Sequence, residues 1–298
     1  MSTAPIILFI YNRPWHTQQT IEALAANKGA KEGFLYVFAD GPKESASPEE
    51  LKKIHETREY IKTQRHFNNI QLFESATNKG LANSIIEGVT SILYRHDSAI
   101  ILEDDLVTSP YFFDYMNNAL VKFEHNEEVI SIHGYCEPIA FDKPAFFLRG
   151  ADCWGWATWR RGWELFEKDA AKLKQELLDR NLKYDFDYYG TFPYFKMLEK
   201  QISGEVDSWA IRWYASAFLK NKLTLYPSKS LVKNIGQDGS GTHQQADRSL
   251  EVNLPQNPVS LDNLAIEESQ DARKKISEYF FKNMGLKSRL QKILKLGY

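Results

Sequence analysis

The chain of 298 residues carries 37 Lys and Arg against 39 Asp and Glu, a net charge of −2, with 43% apolar and 26% charged residues. That length fits one large α/β domain or two small ones, the composition allows a full buried core, and the near-neutral balance argues against a dedicated nucleic-acid binder. Two cysteines, Cys136 and Cys153, rule out a disulfide framework and a four-thiolate zinc site, and as unpaired thiols they suit a reducing compartment.

The opening residues show neither a basic n-region nor the apolar run of a secretory signal, and no stretch approaches the roughly 18 apolar residues of a membrane span. The first hundred residues then alternate short apolar runs with helical patterns. Strands are expected at 6–10, 34–38, 70–73 and 99–102, with helices at 15–26, 47–63 and 81–94. Ser47-Pro48-Glu49-Glu50 reads as an N-cap, a proline at N1 and acids in the first turn. Ser109-Pro110 is expected to open the next helix in the same way. This alternation implies βαβ units and a mainly parallel sheet. Beyond residue 125 the rhythm loosens, with strands expected at 129–132, 145–148, 223–226 and 230–232 and helices at 169–180 and 207–220. Residues 234–243 are too polar and glycine-rich for regular structure, and 251–262 read as a Pro/Asn linker.

In open parallel sheets, ligands bind outside the carboxyl ends of the strands. Four such ends carry polar residues here: Asn12-Arg13, Asp40, Asn78-Lys79-Gly80 and Glu103-Asp104-Asp105. The last is the most informative. Three adjacent acids after an apolar strand concentrate like charge, which is unfavourable without a compensating cation or donors, and carboxylates are hard ligands suited to Mn²⁺ or Mg²⁺. The competing reading is a solvated turn. The Gly236–His243 segment contains closely spaced glycines, Gly239 among them, beside Ser240, so its backbone N–H groups can approach phosphate oxygens, and His243 offers a metal or phosphate contact. No Walker loop, nucleophile elbow or dinucleotide fingerprint is present. Asp207 reads either as the N-cap of the helix that follows it or as a catalytic base. Trp154-Gly155-Trp156, with Trp159 close behind, suits a sugar-stacking platform, or core packing for one or two of the indoles. His133 and Asp152 receive no role.

Taken together, Glu103-Asp104-Asp105-Leu106 with Ser109-Pro110-Tyr111-Phe112-Phe113, the Trp154-Gly155-Trp156 segment and Asp207-Ser208-Trp209 resemble the GT-A glycosyltransferases, most closely the inverting N-acetylglucosaminyltransferase I type. The resemblance spans about residues 4–245. It implies an α/β GT-A sheet flanked by helices, with a nucleotide-sugar-binding half at 1–106, an acceptor and catalytic half at 107–250, and a linker and helical tail at 251–298. It implies a nucleotide sugar held by Asn12, Arg13, Asp40, Lys79, Glu103, Asp104, Trp154, Gly155, Trp156, Gly239 and Ser240. Arg13 and Asp40 would meet the nucleobase, Asp104 the ribose and Glu103 the donor sugar. Asp105, with His243, would bind Mn²⁺ or Mg²⁺, and Asp207 would be the base. Ser208 departs from the second Asp of the family's Asp-Asp-Trp motif. The implied activity is inverting transfer of N-acetylglucosamine or another hexose from a UDP-sugar to a hydroxyl of a glycan or lipid-linked glycan, in a cytoplasmic, bacterial-type enzyme of polysaccharide biosynthesis. A sugar-nucleotide pyrophosphorylase and a noncatalytic sugar-binding module are the alternatives.

Residues 271–298 hold eight Lys or Arg against two acids. Ile276, Phe280 and Met284, then Leu286, Leu290, Ile293 and Leu294, recur at helical spacing. Such a helix either lies in an anionic membrane interface as a peripheral contact or packs on the domain with a solvated basic face.

Overall fold

Ile6–Ile10 (β1) is apolar at five consecutive positions and buried at every one, as a strand covered on both faces of a parallel sheet must be. The structure is a computed structural model and describes residues 3–239 and 250–284. β1 lies between β2 (Phe34–Ala39) and β4 (Ser98–Glu103), parallel to both, and β3 (Asn69–Glu74) extends the sheet beyond β2 in the same sense. The other half of the sheet comes from later in the chain. β8 (Trp156–Trp159) runs antiparallel between β4 and β6 (Val129–His133), β9 (Leu223–Pro227) pairs parallel with β6, and β7 (Ala145–Arg149) closes the edge antiparallel to β9. The order is β3-β2-β1-β4-β8-β6-β9-β7, so all strands of this sheet except β7 and β8 point one way. The expected α/β class, a mainly parallel sheet flanked by helices, is the observed one. A separate ribbon pairs β5 (Leu106–Thr108) antiparallel with β10 (Val232–Asn234).

The helices form layers on both faces. α1 (Pro14–Ala25), α2 (Pro48–Thr63) and α4 (Phe112–Lys122) share a core with Leu8, Val37 and Leu102. α3 (Leu81–Leu93), α5 (Arg160–Trp163) and α9 (Trp209–Leu219) cover Ile7, Phe9 and Ile101 on the opposite face. α6 (Ala170–Asp179), α7 (Lys183–Phe186) and α8 (Tyr194–Ser203) pack around the far side of α9. α9 is buried on nearly every side because Trp209, Trp213 and Ala217 face the sheet while Ile211, Tyr214 and Phe218 face this outer layer.

Local signals hold where a side chain can satisfy a helix end alone. Ser47 accepts from the Glu50 N–H at 3.1 Å, with Pro48 leading α2. Ser109 does otherwise: α4 starts at Phe112, while the Ser109 hydroxyl donates to the Pro255 carbonyl at 2.8 Å. That bond, and one from Lys122 Nζ to the Leu261 carbonyl, tie the Pro/Asn segment to the domain surface. The strand expected at 230–232 forms at Val232–Asn234, because its partner is the ribbon strand β5.

In the described half of the basic tail the apolar positions pack on the domain, one of the two expected arrangements. α10 (Gln270–Asn283) turns Ala272 and Ile276 into a core with Leu148, Tyr214 and Phe218, with Phe280 against it. Arg273, only 2% exposed, pairs with Glu268 at 2.8 Å and lies over the Tyr188 ring at 4.7 Å. An apolar stripe already buried in protein cannot also enter lipid. Leu286, Leu290, Ile293 and Leu294 lie outside the described residues, and among those described no helix is long and apolar enough to cross a membrane. Ile276→Ala should lower the unfolding free energy by about 2–5 kcal/mol, seen as a lower denaturant midpoint at unchanged slope. An unchanged midpoint would return Ile276 to an exposed stripe.

Candidate functional site

After Ser98, β4 is apolar up to its last residue, Glu103, beyond which Asp104 and Asp105 turn into the ribbon strand β5. Because β5 pairs with β10, the chain after β10 is laid directly over these acids. Ile235 donates its N–H to the Asp105 carbonyl at 2.9 Å, and a Cβ on Gly236 would stand 1.9 Å from Asp105 Oδ2, so only glycine fits there without displacement. Arg13, at the entry of α1, donates Nη1 to Asp105 Oδ2 at 2.8 Å and Nη2 to the Gly236 carbonyl at 3.3 Å. Asp238 lies 3.6 Å from the same guanidinium and 3.0 Å from His16 Nε2. Asp104 is held beneath, its Oδ2 accepting from the Tyr11 N–H at 3.3 Å and its carbonyl from the Thr20 hydroxyl at 2.8 Å. Burial, then the neighbouring carboxylates, push Glu103 up to about 8 and Asp104 up to about 7, with Arg13 opposing both shifts. Burial and then the Arg13 charge lower His16.

Not every expected contact gathers here. Asp40 accepts from the Gly41 and Lys79 N–H groups at 2.8 Å and from Gly80 at 3.0 Å. It thereby serves the N-terminus of α3, which has no side-chain cap of its own and whose dipole favours an anion. The Lys79 ammonium turns to Glu87 at 2.7 Å. Both residues line a cavity of about 360 Å³ between the β2–β3 edge and α3. Asn12 donates its amide to Glu50 of α2 at 3.1 Å. Gly239 has φ of +87° and ends the described part of its loop, while Ser240 and His243 fall outside the described residues.

The tryptophans are mostly core. Trp156 is 1% exposed and Trp159 4%, and Trp156 packs against Trp163, Trp209 and Trp213 at centroid distances of 5.4–5.9 Å. A stacking platform needs open ring faces, so these two cannot supply one. Trp154 remains half-buried, edge-on to Tyr135 at 4.7 Å. Gly155 adopts φ of +62° where a Cβ would meet Val232 at 2.7 Å. The N-cap of α9 is Ser208, whose hydroxyl accepts from the Ile211 N–H at 3.3 Å. Asp207 stands one residue outside, 56% exposed at its side chain, and bridges to Arg212 at 3.3 Å. Its neighbourhood is set by Trp209, which stacks on Trp156, and Trp156 is paired with Ile101 and His133 near the strands' carboxyl ends.

A second group of acids lies at the mouth of β6 and β8. Asp152 precedes β8, and Glu137 follows β6. Burial raises Asp152 to about 6 and Glu137 to about 7, the Asp152 charge adding to the latter. His133, 1% exposed, is lowered to about 3 by burial. Glu137 was not expected: it lies four residues beyond the end of β6, with no adjacent acid to mark it. Among the described residues no three His, Cys, Asp or Glu side chains are grouped to hold a metal ion.

Fold and site together define an α/β domain whose strand mouths concentrate carboxylates around one arginine. No family model matches the chain, and no curated protein does. Among solved structures, Staphylococcus aureus TarS is similar at 12% identity over 47% of this chain, with a TM-score of 0.30. The chain spans about a quarter of that protein, 23% of its length. A proposed nucleotide-diphospho-sugar transferase from Desulfovibrio desulfuricans G20 is similar at 12% identity over 57% of this chain and 69% of its own, with a TM-score of 0.33.

The depressed His133 gives the site a pH signature. The unfolded chain binds a proton near pH 6.5 that the folded chain refuses until about pH 3, so this residue's contribution lowers stability as pH falls through that window. His133→Gln should therefore lose about 2 kcal/mol less stability than wild type between about pH 7 and pH 5. Parallel pH profiles would show that His133 is not held neutral by burial.

Proposed function

We propose that the chain is an inverting, metal-dependent glycosyltransferase that moves N-acetylglucosamine or another hexose from a UDP-sugar to a hydroxyl of a glycan or lipid-linked glycan. The observation that carries this reading is the Glu103-Asp104-Asp105 group, roofed by the segment after β10 and clasped by Arg13. Three acids against one arginine leave negative charge that a divalent cation would offset. Asp105 offers carboxylate oxygen, a donor that suits Mn²⁺ or Mg²⁺, ions that take much of their coordination from substrate phosphates and water. Asp105 would hold the ion, with His243 as a further ligand. The ion would supply charge neutralisation to the departing diphosphate.

The chain's own residues would do the remainder. Arg13 places a second positive charge beside the leaving phosphates, and Asp104, held by Tyr11, and Glu103 present carboxylates to ribose and sugar hydroxyls. Asp40 and Lys79, at the mouth of β2, offer the nucleobase end of the site. The backbone N–H groups of Gly239 and Ser240 approach the diphosphate. Asp207 accepts the proton of the acceptor hydroxyl as that oxygen attacks the anomeric carbon, and Arg212 fixes its orientation. One displacement inverts the anomeric centre. Peripheral contact with anionic lipid rests on Lys287, Arg289, Lys292 and Lys295, beyond the packed helix.

Two substitutions test the assignment. Asp207→Asn should retain UDP affinity while turnover falls by roughly 10²–10⁴-fold. Since Ser208 caps the helix, the fold should survive, and an active variant would remove Asp207 from the chemistry. Asp105→Asn should abolish the Mn²⁺ dependence of UDP binding in calorimetry, and identical titrations of variant and wild type would overturn the metal assignment.

A further inference from the structure

Arg13 holds a place that the proposed cation would also claim. Its backbone is fixed at the entry of α1, where its carbonyl accepts the Thr17 N–H at 3.0 Å. The side chain is therefore an arm on a rigid base. Nη1 donates to Asp105 Oδ2 at 2.8 Å and Nη2 to the Gly236 carbonyl at 3.3 Å. The same carboxylate oxygen is covered from the ribbon side, since a Cβ on Gly236 would stand 1.9 Å from it and 2.9 Å from Nη1. Ile235 fixes that approach by donating its N–H to the Asp105 carbonyl at 2.9 Å. The two side chains are only 14% and 16% exposed, so solvent and salt screen the guanidinium charge little. Asp105 Oδ2 is thus already neutralised and enclosed by the chain's own residues.

We infer that Arg13 and the divalent cation are alternative occupants of the Asp105 carboxylate, and that a diphosphate decides between them by drawing the guanidinium onto its own oxygens. The inference rests on the metal-dependent reading above and adds to it the order in which the site fills. A guanidinium in contact with a carboxylate disfavours a second positive charge at the same group. A cation also finds no room at Oδ2 while Nη1 and Gly236 flank that oxygen. The arm has a better partner in a phosphate. Asp105 and Gly236 give the planar fork one carboxylate oxygen and one neutral carbonyl, whereas a phosphate accepts two parallel charge-assisted bonds from it. The transfer needs only rotation of the Arg13 side chain between staggered rotamers, and it opens Asp105 to the ion that the diphosphate carries. Asp238, 3.6 Å from Nη2, helps to hold the arm in place until then. Arg13 is in this way a specificity determinant, because the site takes the ion with a diphosphate and refuses the ion alone.

Mn²⁺ binding to the full chain, followed by electron paramagnetic resonance of the free ion with and without UDP, tests this. Wild type should bind Mn²⁺ alone about tenfold or more weakly than it does with saturating UDP. Arg13→Gln should bind Mn²⁺ alone about tenfold or more tightly than wild type, and the gain from UDP should shrink. Adding Asp105→Asn to Arg13→Gln should remove that binding, as expected of an ion held by Asp105. Mn²⁺ without nucleotide should also raise the thermal midpoint of Arg13→Gln while leaving that of wild type unchanged. If Arg13→Gln does not fold, Arg13→Lys, which keeps the charge but loses the fork, should bind Mn²⁺ alone more tightly than wild type. Equal affinity for Mn²⁺ alone in wild type and in whichever variant folds would overturn the inference. The metal-dependent reading would survive that result if UDP binding still required Mn²⁺. No Mn²⁺ binding by wild type or variant, even with UDP, would overturn that reading as well.

Discussion

The accumulation of negative charge at the carboxyl end of β4 is the constraint around which the rest of the molecule is arranged. Glu103, Asp104 and Asp105 are adjacent in sequence and cannot separate, so their repulsion must be met from outside the segment. Arg13 meets it from the mouth of β1, the Tyr11 N–H meets it from beneath, and the β5–β10 ribbon brings a third layer of chain over the top. The Arg13–Asp105 pair has only 14% and 16% of its side-chain surface exposed. Removing one member of a pair buried to that degree costs about 3–5 kcal/mol, because the remaining charge is left unmatched. Gly236 is part of the same arrangement, since the close approach of the ribbon to Asp105 leaves no room for a Cβ.

The aromatic residues give this charged edge a stiff foundation. Trp156, Trp163, Trp209 and Trp213 interlock beneath the mouths of β4, β8 and β6, and aromatic groups of this size contribute a large share of core burial. The start of α9, with Asp207, is carried on this cluster. The buried Arg273 and Ile276 of α10 clamp the outer layer from the other side. Rigid support beneath polar side chains is what preorganised sites require.

Much of the fold was legible in the sequence wherever periodicity and caps act locally. The four apolar runs that become β1–β4 are long enough and regular enough to declare themselves, and Ser47-Pro48-Glu49-Glu50 contains the whole of its capping signal. The misreadings arise where distant contacts decide. β8 is antiparallel inside a parallel sheet, and its Trp156-Ala157-Thr158-Trp159 pattern reads equally well as a surface aromatic cluster until β4 and β6 are seen on either side of it. Asp207 and Ser208 are both good N-caps, and the choice of Ser208 is made by backbone geometry. Ser109 looks like a cap but is claimed by Pro255, 146 residues away. The tail's amphipathic pattern is the same whether its partner is lipid or the outer helical layer.

Candidate site residues were legible in proportion to their clustering. Consecutive acids after an apolar strand are conspicuous, whereas Asp152, Glu137 and His133 are scattered along the chain and come together only because β8 inserts between β4 and β6. Asp40 illustrates the opposite case. It stands at the expected strand end, yet three backbone N–H groups occupy it, so it serves the α3 terminus as well as any ligand. The central claim, that the β4 acids receive a nucleotide sugar through a divalent cation, is tested most directly by thermal unfolding of the full chain against a panel of UDP-, GDP-, dTDP- and CMP-sugars, each with Mn²⁺ and with EDTA. A ligand that prefers the folded state raises its stability. The account predicts that UDP-sugars raise the midpoint with Mn²⁺ and that EDTA removes the shift. No shift with any sugar nucleotide, or a shift of equal size in EDTA, would contradict it.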